Sequence, residues 1–229
     1  MQDYDRIRSF IMSYGKEEQG KLSKLYRDAV SRAVPVIRPD TKELLRLLLL
    51  MNKPERILEI GTAVGYSALF MASCLPEVRI TTLELDPERA REAEEHIREF
   101  GEEGRIEVLQ GDAAELLRKE ADRTAEEKAP GYDLVFIDAA KAQYGEYLTL
   151  VLPLVSEGAV IISDNVLQDG SILESHFLVE KRDRTIHDRM REYLKRLTDT
   201  EGLTTSILPV GDGVAVTLVE GKILSGTKE

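Results

Sequence analysis

Between residues 56 and 163 the chain repeats one pattern five times, a short run of branched aliphatics that stops at a glycine or a polar residue. The runs at 56–60, 79–84, 105–109, 132–137 and 159–163 predict strands. The amphipathic stretches at 66–75, 89–100, 113–119 and 144–155 predict helices between them. Asp86 is placed to cap the second of these, with Pro87 at its first position. Strands joined by helices run parallel and are covered on both faces, and the crossovers should be right-handed. That reading bounds the fold to an open α/β sheet, in which ligands bind at the carboxyl edge of the strands.

The two ends of the chain read differently. Residues 184–198 predict a helix with Ile186, Met190, Leu194 and Leu197 facing inward. Strands at 204–210 and 213–219 follow, joined at Gly211-Asp212, a hairpin signal. Five parallel strands finished by an antiparallel hairpin make a central seven-stranded sheet, unlike a dinucleotide-binding fold, which continues in parallel. Helices are expected at 4–14, 19–33 and 41–50. With no repeat, low-complexity tract or linker, the expectation is a single domain over 1–229, a helical cap over 1–52 on a core over 53–229.

Composition excludes some classes. No apolar run approaches the roughly 20 residues that cross a bilayer, and no secretory signal is visible at the N-terminus. Cys74 is the single cysteine, so no internal disulfide forms and a cytoplasmic location is expected; its apolar setting suggests a buried small hydrophobe. The net charge of −11 argues against non-specific nucleic-acid binding. The charge is uneven, however: residues 84–128 are strongly acidic, while 1–56 and 181–196 are net basic.

Chemistry concentrates at the strand ends. The stretch 59–67, Glu-Ile-Gly-Thr-Ala-Val-Gly-Tyr-Ser, sits where the first strand turns into a helix. Gly61 permits a tight turn and Gly65 a close approach to the helix start. Glu84 ends the next strand, where a carboxylate can accept hydrogen bonds from both ribose hydroxyls. Gly111-Asp112-Ala113 follows the third, suited to the edge of an adenine. The glycines do not match G-x-G-x-x-G, and no phosphate loop occurs. A cofactor with ribose and adenine but no pyrophosphate fits, which points to S-adenosylmethionine (SAM). Asp138 ends the fourth strand and Asp164-Asn165 the fifth. Adjacent strands lie about 4.8 Å apart, so the three side chains should converge on the same rim. Their hard oxygen donors suit Mg²⁺ first, or Ca²⁺ or Mn²⁺, rather than zinc. The alternative for each is a local cap on the following turn.

Taken together, residues 59–67, Glu84, Gly111-Asp112-Ala113, Asp138-x-x-Lys141 and Asp164-Asn165 resemble the metal-dependent class I O-methyltransferases of the catechol and caffeoyl-coenzyme A type. The resemblance runs from about residue 35 to the end. It implies a Rossmann-like fold and commonly a homodimer. It also implies a SAM site of Ile37, Glu59, Gly61, Thr62, Gly65, Ser67, Glu84, Asp112, Ala113 and Asp138. Asp138, Asp164 and Asn165 would hold the metal, and Lys141 would be the general base beside Asp138. For that role a cation and partial burial must depress the lysine's pKa; an ordinary surface lysine is the alternative. Ala63 stands where many methyltransferases carry a third glycine.

Segments 164–170, 181–191 and 205–214 resemble the bacterial branch that includes tRNA 5-hydroxyuridine methyltransferase. That implies methylation of the 5-hydroxyl of a wobble uridine, whose O4 neighbour completes a chelatable oxygen pair. Arg182, Arg184, Arg189 and Arg191 flank the apolar stripe of the 184–198 helix and are candidates to face anticodon-loop phosphates, or else a solvated face. The rival reading is a small-molecule catechol O-methyltransferase; a non-catalytic SAM-binding protein is a third. His187 reads as a surface or capping residue, and no two histidines have metal-site spacing.

Overall fold

Each of the five predicted parallel strands forms. The computed structural model describes residues 6, 9–14, 19–127, 129–176 and 179–221. In it β1 (Arg56–Ile60), β2 (Arg79–Glu84), β3 (Ile106–Gln110), β4 (Tyr132–Ile137) and β5 (Val155–Ser163) run parallel. β6 (Leu203–Leu208) and β7 (Val214–Val219) complete a 7-stranded sheet in the order β3-β2-β1-β4-β5-β7-β6. β7 is antiparallel to both neighbours, as the expected hairpin requires. The order reverses between β1 and β4, which opens a crevice at their carboxyl ends.

Seven helices of the described residues pack around the sheet: α1 (Gly20–Ser31), α2 (Pro39–Asn52), α3 (Tyr66–Cys74), α4 (Pro87–Phe100), α5 (Ala113–Glu127), α6 (Tyr144–Val151) and α7 (Arg184–Asp199). Side chains alternate across a strand, so Ile57, Leu134 and Phe136 join one apolar cluster with α1 to α4. Leu58, Ile60, Val135 and Ile137 join the other, with α5 to α7. The central strands are largely apolar because both faces are covered, with Glu59 a buried exception in β1.

Boundaries differ from expectation where local chemistry intervenes. The helix expected over 144–155 stops at Val151; Leu152–Leu154 is a 3₁₀ turn, and β5 starts at Val155. Pro153 has no N–H for a helical bond. α5 continues to Glu127, well past 119, because Glu120 is anchored inward, accepting from Arg123 at 2.8 Å and from the Tyr132 hydroxyl at 2.6 Å. β6 ends before Pro209. Of the helix expected over 4–14, residues 6 and 9–12 are helical, while 1–5, 7 and 8 lie outside the described residues. The inward stripe of α7 is His187, Met190, Tyr193 and Leu197, so His187 is buried, not at the surface. Cys74 is half-buried, with the Arg46 guanidinium 3.7 Å from its sulfur.

The segment ahead of α2 is clamped to the far end of the sheet. Arg38 pairs with Asp212 at 2.7 Å, and the Gly211 N–H donates to Asp40 at 3.1 Å. The same turn accepts from Leu167 and Val166 through the carbonyls of Asp212 and Gly213. The turn between β6 and β7 therefore ties the N-terminal segment to the chain leaving β5.

Gly61 has φ +104°, and a Cβ there would lie 2.0 Å from the Asp138 carbonyl oxygen. Backbone cannot yield as a flexible side chain can. Gly61→Ala should cost more than about 2 kcal/mol in chemical denaturation; wild-type stability would mean the two strand ends do not abut as described.

Candidate functional site

The rim is built by continuing the sheet ladder one residue past each strand. Asp138 N–H donates to Ile60 O at 3.0 Å, Asp164 N–H to Ile137 O at 2.9 Å and Gly61 N–H to Leu83 O at 3.0 Å. These bonds hold Gly61, Asp138 and Asp164 at one level. Asn165 follows with φ +59°, a left-handed conformation that asparagine tolerates better than most residues. Beneath them the buried Tyr144 hydroxyl donates to the Asp164 carbonyl at 3.0 Å, bracing the end of β5.

A cavity of about 350 Å³ opens on this rim. Ile37, Gly61, Thr62, Ser67, Glu84, Asp112, Ala113, Asp138 and Asn165 all line it, as the sequence suggested. Gly65, Glu59 and Asp164 stand behind it. Gly65 starts α3 with φ +82°, where a Cβ would meet Ala93 at 3.3 Å, so it serves helix packing. Lys141 begins a 3₁₀ turn and lines a second cavity, with Gln168, Ser171 and Glu174. Pro35, Val36, Tyr66, Leu85, Arg89 and Tyr147 also line the first cavity. Sequence reading missed these, since their types are ordinary core or surface residues and only the fold brings them to the wall.

Glu84 spans the glycine loop. Its carboxylate accepts from Ala63 N–H at 2.7 Å and from Asp86 N–H at 2.9 Å, fixing its orientation at the wall. Each oxygen retains a second lone pair for a ligand hydroxyl. Ala63 has φ +47°, which explains why a glycine suits that position elsewhere.

Three carboxyl groups have pKa values pushed upward. Glu59 is fully buried, and burial lifts it to about 7 against hydrogen bonds from Ser67 and Thr82, with Asp138 and Glu84 adding repulsion. Burial also raises Asp138, opposed by the Lys141 charge. Asp164 is lifted to about 6 by burial and then by Asp138. Asp164 Oδ1 accepts from Asn165 N–H at 2.8 Å, but its buried Oδ2 has no hydrogen-bond partner among the described residues. Two desolvated carboxylates, one with an orphaned oxygen, beside an amide make a donor set that fits a hard divalent cation.

Several arginines at and just before α7 reach neighbouring groups. Arg184 donates to Val179 O at 3.1 Å, Arg189 to Ala142 O at 3.2 Å, and Arg191 to Ile172 O and Glu174 O at 3.3 Å. Arg182 is mostly exposed, 3.1 Å from Glu180 and 3.4 Å from Asp183. Among the described residues no helix is long and apolar enough to cross a membrane.

Residues 12–220 match the O-methyltransferase family. The chain belongs to that family. It is 36% identical over 141 residues to a catechol O-methyltransferase of Niastella koreensis, a match covering 61% of this chain and 62% of that protein. It is 30% identical over 203 residues to a caffeoyl-CoA O-methyltransferase of Populus kitakamiensis, covering 88% and 84%. The O-methyltransferase TomG of Streptomyces achromogenes, involved in tomaymycin synthesis and solved with SAM, superposes with TM-score 0.79 at 28% identity, covering 94% of this chain and 96% of that one. The expected O-methyltransferase fold and family are borne out.

The raised Glu59 pKa has a thermodynamic consequence. An acid that binds its proton more tightly folded than unfolded destabilises the fold as pH rises from the ordinary carboxyl range toward 7. Glu59→Gln removes that penalty. It should gain about 1–3 kcal/mol relative to wild type at pH 8, and no such gain at pH 4, in parallel denaturation curves. A pH-independent difference would show that Glu59 titrates normally.

Proposed function

We propose that the protein transfers a methyl group from SAM to one hydroxyl of a small vicinal dihydroxy-aromatic, held by a divalent cation at Asp138, Asp164 and Asn165. The observation that supports this reading is the backbone ladder that sets Asp138 and Asp164 at one level, the Asp138 charge being felt at Asp164, with Asp138 and Asn165 lining the cavity beside Gly61, Glu84 and Asp112. The names of the catechol and caffeoyl-CoA relatives support the substrate class, and the SAM complex of TomG supports the donor.

Glu84 would orient the donor by accepting from its ribose hydroxyls, and Asp112 and Ala113 would border the base. Gly61, without a Cβ, lets the Asp138 backbone close against the end of β1 at the cavity wall. SAM supplies a methyl group on a sulfonium whose positive charge is lost on transfer. A bound cation supplies Lewis acidity, lowering the acceptor hydroxyl's pKa and fixing its direction. Asp138 and Asp164 would contribute the negative charge that holds it, relieving their mutual repulsion. Asn165 would add a neutral oxygen. Lys141, close enough to Asp138 for its charge to be felt there, is the candidate to take the acceptor's proton, for which it would first release its own to solvent on binding of the cation.

A wobble 5-hydroxyuridine offers a similar oxygen pair. The small molecule is favoured by the names of the catechol and caffeoyl-CoA relatives, and Arg184, Arg189 and Arg191 each already give a donor to a backbone carbonyl. Labelled SAM and Mg²⁺, offered a simple catechol and 5-hydroxyuridine-containing tRNA side by side, should label the catechol and lose activity in chelator. Salt-sensitive labelling of the tRNA alone would replace this reading.

Two variants probe the roles. Asp164→Asn should reduce kcat by about 100-fold or more while SAM affinity stays within a few fold; full activity in chelator would remove the cation from the reaction. Glu84→Ala should weaken SAM binding by about tenfold or more, with a smaller effect on kcat. An unchanged dissociation constant by calorimetry would rule out its ribose role.

A further inference from the structure

At the start of α7 lies a group whose hydrogen bonds do not close by themselves. His187 is buried, and its Nε2 lies 3.1 Å from the Glu174 carbonyl oxygen. A carbonyl only accepts, so Nε2 carries the proton, and a neutral ring then turns a lone pair from Nδ1. That Nδ1 faces a carboxylate oxygen, Asp188 Oδ1, at 3.1 Å. Two electron-rich atoms do not rest in contact unless a positive charge stands between them. His176 Nδ1 lies 2.9 Å from both oxygens of the same carboxylate. The three ligand atoms lie within 4.8 Å of one another, although ten residues of sequence lie between the histidines.

We propose that His176, His187 and Asp188 form a second cation site, separate from the rim and selective for a borderline transition metal of the Zn²⁺ type. Two imidazoles and one carboxylate are the donors such ions prefer over Mg²⁺. Bonds of about 2.0–2.1 Å in tetrahedral geometry set ligand atoms roughly 3.3 Å apart, so small side-chain rotations suffice. The bond from Nε2 to Glu174 O fixes the tautomer that leaves Nδ1 available, as an outer-shell partner does for a metal-bound histidine. His176 and Asp188 are each about half exposed, leaving the fourth position to solvent. Held there, the ion fastens the segment around Glu174 to α7. Gln168, Ser171 and Glu174 line the cavity that contains Lys141, so the ion braces a wall beside the reaction rim.

The test uses the full chain, stripped of metal, carrying Asp138→Asn and Asp164→Asn so that the rim does not compete. Titration with Co²⁺ in excess Mg²⁺ should give saturable tetrahedral ligand-field absorption that Zn²⁺ abolishes. Adding His176→Ala, or separately Asp188→Asn, should weaken Co²⁺ binding by at least about tenfold. Hydrogen exchange of residues 168–174 should slow when Zn²⁺ is added. His176 is partly exposed, so its removal leaves the fold intact, and circular dichroism checks this. No saturable Co²⁺ signal, or equal affinity in both variants, overturns the proposal. In that case nitrogen NMR should find both ring nitrogens of His187 protonated, the charge between them being a proton.

Discussion

Two desolvated carboxylates on neighbouring strand ends are the constraint around which the rim is organised. Asp138 and Asp164 each sit one residue past a paired position, Ile137 opposite Ile60 and Ser163 opposite Ile137. Parallel strands hold their ends about 4.8 Å apart whatever side chains they carry. Burial raises both pKa values and Asp138 adds repulsion at Asp164, and neither is relieved by moving apart, because the backbone ladder and two apolar clusters fix the strands. A site that holds like charges together at some cost favours whatever positive charge can enter it.

The surroundings limit how that strain is discharged. Tyr144 braces the end of β5 from below, and the Arg38–Asp212 pair closes the turn that supports the chain leaving β5. Arg38 also draws down the Asp164 pKa, although burial and Asp138 outweigh it. The N-terminal segment thus does two things: Pro35, Val36 and Ile37 wall the cavity, and Arg38 fastens that wall to the opposite end of the sheet. The arginines of α7 act likewise as ties, bonding to the carbonyls of Ala142 before α6, Gly145 in its first turn and Glu174.

Much of the site is legible in the sequence because strand-end chemistry is local. Gly61, Glu84, Asp138 and Asp164 each close an apolar run, and the side of a parallel sheet on which strands end is set by their common direction. The cavity lining agrees with the sequence at Ile37, Thr62, Ser67, Asp112, Ala113 and Asn165. Lys141 was legible only as a residue three positions past Asp138; its turn directs it to the neighbouring cavity. His187 was misjudged since a histidine is polar in any hydropathy pattern, yet it buries once Glu174 O and Asp188 satisfy its ring. Its pairing with His176 had no sequence signal at all.

By itself the chain's pattern determined five parallel strands, the hairpin after them, and which residue types stand at the carboxyl edge, because periodicity and turn chemistry act over a few residues. Tertiary structure alone decided what meets what. It brought Arg38 to Asp212, Tyr144 beneath Asp164 and His176 to His187, and it set a donor of Arg189 on the Ala142 carbonyl. Contacts between distant segments depend on how whole elements pack, and the burial that shifts a carboxylate's pKa exists only after that packing is complete.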